Sequence, residues 1–111
     1  MKKRIIPISL PVTGEEEWHA LKEPLKTGWL TAGPKVRAFE DAFAERHKVK
    51  HAIAVTSATT ALHLALVALD IKPGDEVIVP AFTWVSTANV VLYQGAKVVF
   101  CDIDPNTFNL D

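Results

Sequence analysis

The 111-residue sequence lacks most features that mark a secreted, membrane-bound or nucleic-acid-binding protein. Its single cysteine, Cys101, excludes an intrachain disulfide framework and a thiolate metal cluster, and it favours a reducing, intracellular compartment. No apolar run approaches the roughly 20 residues that a membrane-spanning helix needs. Pro7 and Pro11 interrupt the first apolar stretch before a signal-peptide core could form. We therefore predict a cytoplasmic protein with no membrane insertion.

The sequence also lacks an excess of charge of either sign. Its 12 Lys and Arg residues against 13 Asp and Glu give a net charge of −1, which offers no electrostatic support for nucleic-acid binding. The 49% hydrophobic and 23% charged fractions are those of a globular protein, and the length corresponds to about one domain. Widespread disorder and a multidomain assembly are both excluded.

Glycine is scarce and histidine is scattered. The five glycines form no glycine-rich fingerprint, which disfavours a Rossmann dinucleotide site or a P-loop. His47 and His51 straddle a predicted helix end without a third ligand nearby, so we expect no zinc site.

The first half of the chain predicts an arm followed by two helices. Residues 1–12 contain prolines that favour an extended arm. Thr13 and Glu16 fit a capping box that opens the first helix, and Gly28 ends it. A second helix is expected to begin at Pro34.

The second predicted helix has an amphipathic pattern. Val36, Phe39 and Phe43 are expected to form its apolar stripe, while Glu40 and the other charged side chains are expected to face solvent.

The second half predicts alternating strands and helices. We expect strands at 52–55, 76–79 and 97–101, with helices at 61–69 and 83–93 between them. Long helical connections between strands imply a parallel, right-handed arrangement. The predicted class is therefore α/β, with a mostly parallel sheet and flanking helices.

The loops after these strands are the expected ligand edge of the sheet. Hydroxyl side chains crowd the first loop, where a helix N-terminus would attract an anion such as phosphate. They are Thr56, Ser57, Thr59 and Thr60. Helix capping by Ser57 is the plainer alternative.

The other two loops carry an aromatic side chain and two carboxylates. Trp84 could stack on a planar ring or pack in the core. Asp102 and Asp104 could bind a cation or a ring nitrogen, but Asp104-Pro105 favours a turn. The two carboxylates make no convincing acid–base pair.

Six stretches carry a family resemblance in their order and spacing. They are residues 28–34, 54–62, 73–80, 83–87, 95–96 and 102–104. They resemble the DegT/DnrJ/EryC1/StrS family of sugar aminotransferases, fold-type I enzymes that depend on pyridoxal 5′-phosphate (PLP). Within it, Gly28–Thr31 and Thr83–Ser86 are most similar to the UDP-4-amino-4-deoxy-L-arabinose–oxoglutarate aminotransferases of lipid A modification.

The resemblance implies a domain organisation and a set of site residues. Residues 1–50 would be an arm and helices, and 51–111 would begin the PLP-binding α/β domain. Ser57, Ala58 and Thr59 would hold the PLP phosphate, with Trp84 stacked on its ring. The sugar nucleotide would contact Ile8, Gly28, Trp29, Leu30, Thr31 and Ser57.

The resemblance also implies a reaction and its missing parts. The amino group would pass from glutamate, giving 2-oxoglutarate, to a keto-sugar nucleotide such as a UDP-4-keto-pentose, in a homodimer without a metal. The Schiff-base lysine and the aspartate on the pyridine nitrogen are expected beyond residue 111, and Lys72, Lys97, Asp102 and Asp104 do not match them. We therefore expect a fragment of the enzyme, inactive alone, with no catalytic residue of its own.

Three alternatives stay open at this point. A PLP-dependent sugar 3-dehydratase of the same family replaces the lysine by histidine, so this sequence does not separate the two. A flavodoxin-like module could use 57–60 as a flavin-phosphate loop. A non-catalytic remnant could bind a partner through exposed apolar edges.

Overall fold

The computed structural model describes residues 6–111 and divides them into two compact units. One unit ends at Ala54 and the other spans Val55–Asp111. The arm has no helix or strand over residues 6–14, and its basic start, residues 1–5, lies outside the described residues.

The first unit begins with helix α1, Glu15–Thr27, whose start differs from the prediction. Gly14 is the N-cap rather than Thr13, and Glu17 rather than Glu16 reaches back, accepting a hydrogen bond from the Gly14 N–H at 2.7 Å. The shift follows from Glu17 holding the third helical position, from which a carboxylate reaches the cap. Gly28 ends the helix as predicted, with φ of 76° and its N–H on the Pro24 carbonyl.

Helix α2, Pro34–His47, begins at the predicted proline but packs through a different face. Val36, Glu40 and Ala44 are half-buried, whereas Phe39 and Phe43 are 59% and 47% exposed. The predicted solvent position of Glu40 is wrong, and so is the phenylalanine part of the apolar stripe. Spacing of four residues aligns the half-buried side chains on one side of the helix, and the segment after the helix, residues 50–53, lines a groove with that side.

Residues 52–55, which were expected to form a strand, have no strand pairing. A strand exists only beside a hydrogen-bonded neighbour, and no other segment of residues 6–111 pairs with this one. The Ala54 N–H instead donates to the Glu40 carboxylate at 2.9 Å.

The second unit has the predicted parallel α/β arrangement. Its elements are α3 (Ala58–Ala68), β1 (Glu76–Pro80), α4 (Ser86–Tyr93) and β2 (Lys97–Cys101). Strands β1 and β2 pair in parallel, from Glu76 opposite Lys97 to Pro80 opposite Cys101.

Helix α4 begins three residues later than the predicted Thr83. The first helical hydrogen bonds run from the Thr87 N–H to the Trp84 carbonyl and from the Ala88 N–H to the Val85 carbonyl. Residues 81–85 therefore form a loop that leaves Trp84 outside the helix.

The core of this unit lies between the sheet and its helices. Val79, Val91 and Ala96 are buried together, and Leu66 and Ile71 pack against them. Along β1 the buried side chains alternate with exposed ones, as the pleat requires. One face of the strand therefore meets α4, and the other carries exposed side chains such as Ile78.

Candidate functional site

Two loops leave the same edge of the sheet. Because β1 and β2 are parallel and in register, residues 81–85 and 102–105 both follow strand ends, and the Ala81 N–H donates to the Cys101 carbonyl at 2.9 Å. The Phe82 and Phe108 rings lie 6.1 Å apart across this edge. The carboxyl edge of a parallel sheet is where α/β proteins bind ligands.

The start of helix α3 belongs to the same side of the unit. Helix α3 leads into β1 through the turn at 69–75, just as α4 leads into β2 through 94–96. A helix that precedes a parallel strand through a short turn runs antiparallel to it. The N-terminus of α3 therefore lies toward the carboxyl edge of the sheet.

Hydroxyl groups organise the N-terminus of α3. Ser57 is the N-cap, and its Oγ accepts a hydrogen bond from the Thr60 N–H at 3.1 Å. The Thr60 hydroxyl lies 3.0 Å from the Ser57 Oγ and 3.4 Å from the Thr56 hydroxyl. The capping interpretation of Ser57 is therefore confirmed.

Capping leaves donors free for an anion. The N–H groups of Ala58 and Thr59 have no protein acceptor within residues 6–111. The first N–H groups of a helix carry its positive dipole end and attract anions. Capping by Ser57 and anion binding by the next two residues are thus compatible at this helix.

Trp84 lies in the loop between β1 and α4 and is 77% exposed. The core-packing alternative is wrong for this unit, because the side chain lies outside the buried cluster. Its backbone carbonyl accepts from the Thr87 N–H, and the Thr83 and Thr87 hydroxyls lie 3.3 Å apart. The loop is thus tied to the first turn of α4 while the indole stays accessible.

The two aspartates after β2 accept hydrogen bonds from nearby backbone N–H groups. The Asp104 carboxylate accepts hydrogen bonds from the N–H groups of Thr107 and Asn106, at 2.7 and 2.9 Å, and these bonds lower the pKa of Asp104 below its usual value. Asp102 accepts from the Ile103 N–H at 2.8 Å. The turn interpretation is confirmed for Asp104, whose carboxylate accepts hydrogen bonds from the turn at 105–107.

Of the predicted substrate residues in the first unit, some line a cavity and others are exposed to solvent. Trp29 and Thr31 line a cavity of about 190 Å³ between the end of α1 and the start of α2. Leu30 is exposed, and its N–H donates to the Gly28 carbonyl at 2.9 Å. Ile8 lies fully exposed in the arm.

Two contacts shape this cavity. Lys35 of α2 and Glu23 of α1 form an ion pair at 2.6 Å on its wall. A Cβ added at Gly33 would lie 2.8 Å from the Trp29 Cε3 atom. Gly33 has an extended φ of −162°, so its glycine is required by the closeness of the indole ring rather than by backbone strain.

The structure of residues 6–111 was also searched for metal-ligand groups and membrane-spanning helices. Within residues 6–111 no three or more His, Cys, Asp or Glu side chains group as metal ligands. His47 stacks on Phe43 at 4.3 Å, and His63 meets Tyr93 edge-on at 5.6 Å. No helix in this range is both long and apolar enough to cross a bilayer.

Glu40 is the residue of interest that the sequence pattern missed. Its position four residues after Val36 and four before Ala44 is the signal that could have placed it on the packed face. This signal is easily missed, because a glutamate is usually assigned to the solvent side of a helix.

Comparison with known proteins identifies the family. Residues 11–111 match the sequence model of the DegT/DnrJ/EryC1/StrS aminotransferase family. The spore coat polysaccharide biosynthesis protein SpsC of Bacillus subtilis is 51% identical over 110 residues, which are 99% of this chain and 28% of SpsC.

Two solved structures share the fold. Spr1654 of Streptococcus pneumoniae, named as a sugar aminotransferase and solved in its PLP form, has a TM-score of 0.89 at 39% identity, over 96% of this chain and 27% of that one. GDP-4-keto-6-deoxy-D-mannose-3-dehydratase of E. coli, solved with bound hydrated PLP, has a TM-score of 0.86 at 35% identity, over 95% and 28%.

These similarities remove the flavodoxin-like alternative and establish the fold class. The chain spans little more than a quarter of the length of these relatives. Its α/β unit, with a parallel sheet and flanking helices, has the fold of the corresponding part of PLP-dependent enzymes. The chain belongs to the DegT/DnrJ/EryC1/StrS aminotransferase family.

Proposed function

We propose that the protein is a PLP-dependent aminotransferase that moves an amino group from glutamate to a keto-sugar nucleotide. The observation that carries the proposal is the start of helix α3, where the N–H groups of Ala58 and Thr59 are free beside a cluster of hydroxyls. Membership of the aminotransferase family supplies the reaction class.

The residues of the second unit fit the chemical form of PLP. PLP presents a phosphate dianion and a flat pyridine ring. The start of α3 offers backbone donors and a positive dipole end for the first, and the exposed indole of Trp84 offers an aromatic face for the second. When bound, PLP supplies an electron sink for the reaction.

The residues of this chain have binding and orienting roles in the proposal. Ser57, Ala58 and Thr59 would hold the phosphate, and Trp84 would fix the plane of the ring. None of the lysines of the chain is assigned to proton transfer. Residues 1–50 would supply an arm and helices, and 51–111 would begin the cofactor-binding domain.

We assign the sugar nucleotide to the loop after α1. Trp29 and Thr31 line a cavity that offers an aromatic ring and a hydroxyl, and Leu30 is exposed beside them. Ser57 and Ile8 would complete the contacts. The substrate class we favour is a UDP-4-keto-pentose of cell-envelope or lipid A biosynthesis, used by a cytoplasmic homodimer.

A second reaction, 3-dehydration of a keto-sugar nucleotide, is supported by one observation. The chain matches the E. coli GDP-4-keto-6-deoxy-D-mannose-3-dehydratase nearly as well in structure as it matches Spr1654. The two reactions differ in product: the aminotransferase leaves an amino sugar and 2-oxoglutarate, and the dehydratase leaves a sugar without its 3-hydroxyl.

The test uses the full-length protein that contains this chain. We expect the protein to form an amino sugar from UDP-4-keto-pentose only when glutamate is present. Mass spectrometry detects the amino sugar, and a separate assay measures the 2-oxoglutarate released. Amino transfer to a GDP-linked sugar alone would correct the nucleotide, and loss of the 3-hydroxyl would establish the dehydratase. No turnover of any keto-sugar nucleotide would contradict the proposal.

The ring contact has its own variant. Trp84→Ala should weaken PLP binding about tenfold by removing an aromatic contact, with little change in stability because the side chain is exposed. Phe82→Ala removes another exposed aromatic ring from the same loop and should leave PLP affinity within about twofold. Equal PLP affinity of Trp84→Ala and the unsubstituted protein would remove Trp84 from the site.

A further inference from the structure

We propose that Glu23 and Lys35 are positioning residues for the substrate loop, Gly28–Thr31. The Lys35 ammonium lies 2.6 Å from the Glu23 carboxylate, and the two residues flank the loop in sequence, so their ion pair closes the segment that contains it. The pair and the whole loop belong to the first unit. This inference rests on the proposed function, because it concerns the same loop and the same sugar nucleotide.

The ion pair joins the end of α1 to the start of α2. Glu23 lies near the end of α1, and Lys35 is the second residue of α2. A cation close to the N-terminus of a helix is disfavoured by the helix dipole, so Lys35 is not stabilised by its own helix. Its favourable partner is the Glu23 carboxylate on the other side of the loop.

The ion pair and the loop share one cavity. Both paired residues lie on the wall of the cavity of about 190 Å³ that Trp29 and Thr31 also line. Gly33, close before Lys35 in sequence, packs so tightly on the Trp29 indole that a Cβ there would lie 2.8 Å from its Cε3 atom. Close-packed neighbours transmit a displacement. A shift of Lys35 should therefore reach the indole through Gly33.

The exposure of the pair sets the size of the expected effect. The Lys35 and Glu23 side chains are 62% and 67% exposed, and breaking an exposed ion pair changes an equilibrium by at most about fivefold. Local bonds of the loop, such as that from the Leu30 N–H to the Gly28 carbonyl, do not involve the pair. We therefore expect a displaced loop, detected in the KM for the substrate and not in kcat or PLP affinity.

The experiment reverses each charge and then both. Glu23→Lys and Lys35→Glu each bring two like charges together, whereas the double variant restores the attraction with the partners exchanged. Each is made in the full-length protein, and KM is measured for UDP-4-keto-pentose, or for the GDP-linked keto sugar if the unsubstituted protein uses that one. Glu45→Lys is the control, because it makes the same charge change as Glu23→Lys at an exposed position near the other end of α2.

The expected result depends on the pairing and not on the net charge. Glu23→Lys and Lys35→Glu should each raise KM about threefold, and the double variant should return it to within about 1.5-fold of the original value. Glu45→Lys should leave KM unchanged. An added cation by itself would attract an anionic sugar nucleotide, so a higher KM in Glu23→Lys cannot come from the added charge. A carboxylate at position 35 is favoured by the dipole of α2, so a weaker helix cannot explain Lys35→Glu.

Other results overturn the inference. A lower KM in Glu23→Lys together with a higher KM in Lys35→Glu would show that the two charges act on the substrate directly. Unchanged KM in both, or a rise of about ninefold in the double variant as for independent effects, would show that the pair does not hold the loop. Equal changes in KM and PLP affinity would show a general disturbance. No turnover of any keto-sugar nucleotide by the unsubstituted protein would instead overturn the proposed function, and this inference with it.

Discussion

The two units of the chain bury their apolar side chains to different extents. Helices α1 and α2 contain no fully buried residue, and Trp18 and Leu25 of α1 are more than half exposed. The second unit has a buried cluster around Val79 and Val91. The proposed cofactor contacts therefore lie on elements with their own core, whereas the proposed substrate loop, Gly28–Thr31, is held by local contacts at two helix ends.

The first and largest test of this contrast removes side chains from each unit. Val91 is 1% exposed, so Val91→Ala should lower the free energy of unfolding of its unit by about 2 kcal/mol. Phe39→Ala should change the free energy of unfolding of the first unit by less than about 0.5 kcal/mol, because the ring is largely exposed. Urea denaturation of the full-length protein, read by amide hydrogen exchange in each unit, measures both. If Phe39→Ala lowered the free energy of unfolding as much as Val91→Ala does, the two units would not differ in burial, and the face of α2 that carries Phe39 would be covered.

A second test acts on the substrate loop alone. Gly33 and Gly14 are both helix N-caps with extended backbone, so replacing either by alanine carries the same loss of a favoured cap residue. Only at Gly33 would the new Cβ meet a ring, 2.8 Å from the Trp29 Cε3; at Gly14 the nearest atom is 3.9 Å away.

Gly33→Ala should therefore displace Trp29 at a cost of about 1 kcal/mol or more. In the full-length protein we expect the KM for the sugar nucleotide to rise about fivefold, with PLP affinity unchanged. Gly14→Ala should leave both constants unchanged. A rise in KM that is equal in the two variants would mean that the helix caps, and not the indole position, control the loop.

The smallest effect concerns the turn after β2. Folding lowers the pKa of Asp104 below its ordinary 3.8, because its carboxylate accepts hydrogen bonds from the Thr107 and Asn106 N–H groups. The unfolded chain thus takes up this proton first as the pH falls. The stabilisation by Asp104 is complete well above pH 3.8 and is lost as the pH falls through the lower, folded pKa.

Asp104→Asn should accordingly show a smaller loss of thermal stability than the unsubstituted protein between about pH 6 and pH 3. Asp41→Asn, a change on α2 at a carboxylate without a hydrogen bond in the described chain, is the control. A pH dependence that Asp104→Asn leaves unaltered would show that this turn contributes nothing to acid sensitivity.

The second unit could be predicted from sequence more fully than the first. The runs at 76–79 and 97–101 are apolar and β-branched, so they favour strands in any buried setting, and both are present. The similar run at 52–55 forms no strand here. A strand needs a partner strand to pair with, and the sequence of the run itself does not show whether one is present.

The errors on the two helices have a related cause. Periodicity identifies α2 but not which side of it is packed, and the position of Glu40 depends on the later segment that supplies the Ala54 N–H. At α1, Thr13 and Glu16 have the right spacing for a capping box, yet Gly14 and Glu17 form it. At the candidate site, the hydroxyl cluster and Trp84 could be singled out from the sequence. Only the structure shows which N–H groups remain free and that the indole is exposed.

The most direct measurement of the central claim is the PLP affinity of Ser57→Asp in the full-length protein. Aspartate caps a helix as well as serine does, so α3 should keep its stability, while the new carboxylate beside the Ala58 and Thr59 N–H groups should repel a phosphate. We expect PLP binding to weaken about a hundredfold and pyridoxal binding to change little. Ser86→Asp, which adds the same charge at the start of α4, should retain normal PLP affinity. Unchanged PLP affinity in Ser57→Asp would contradict the assignment of the phosphate to helix α3.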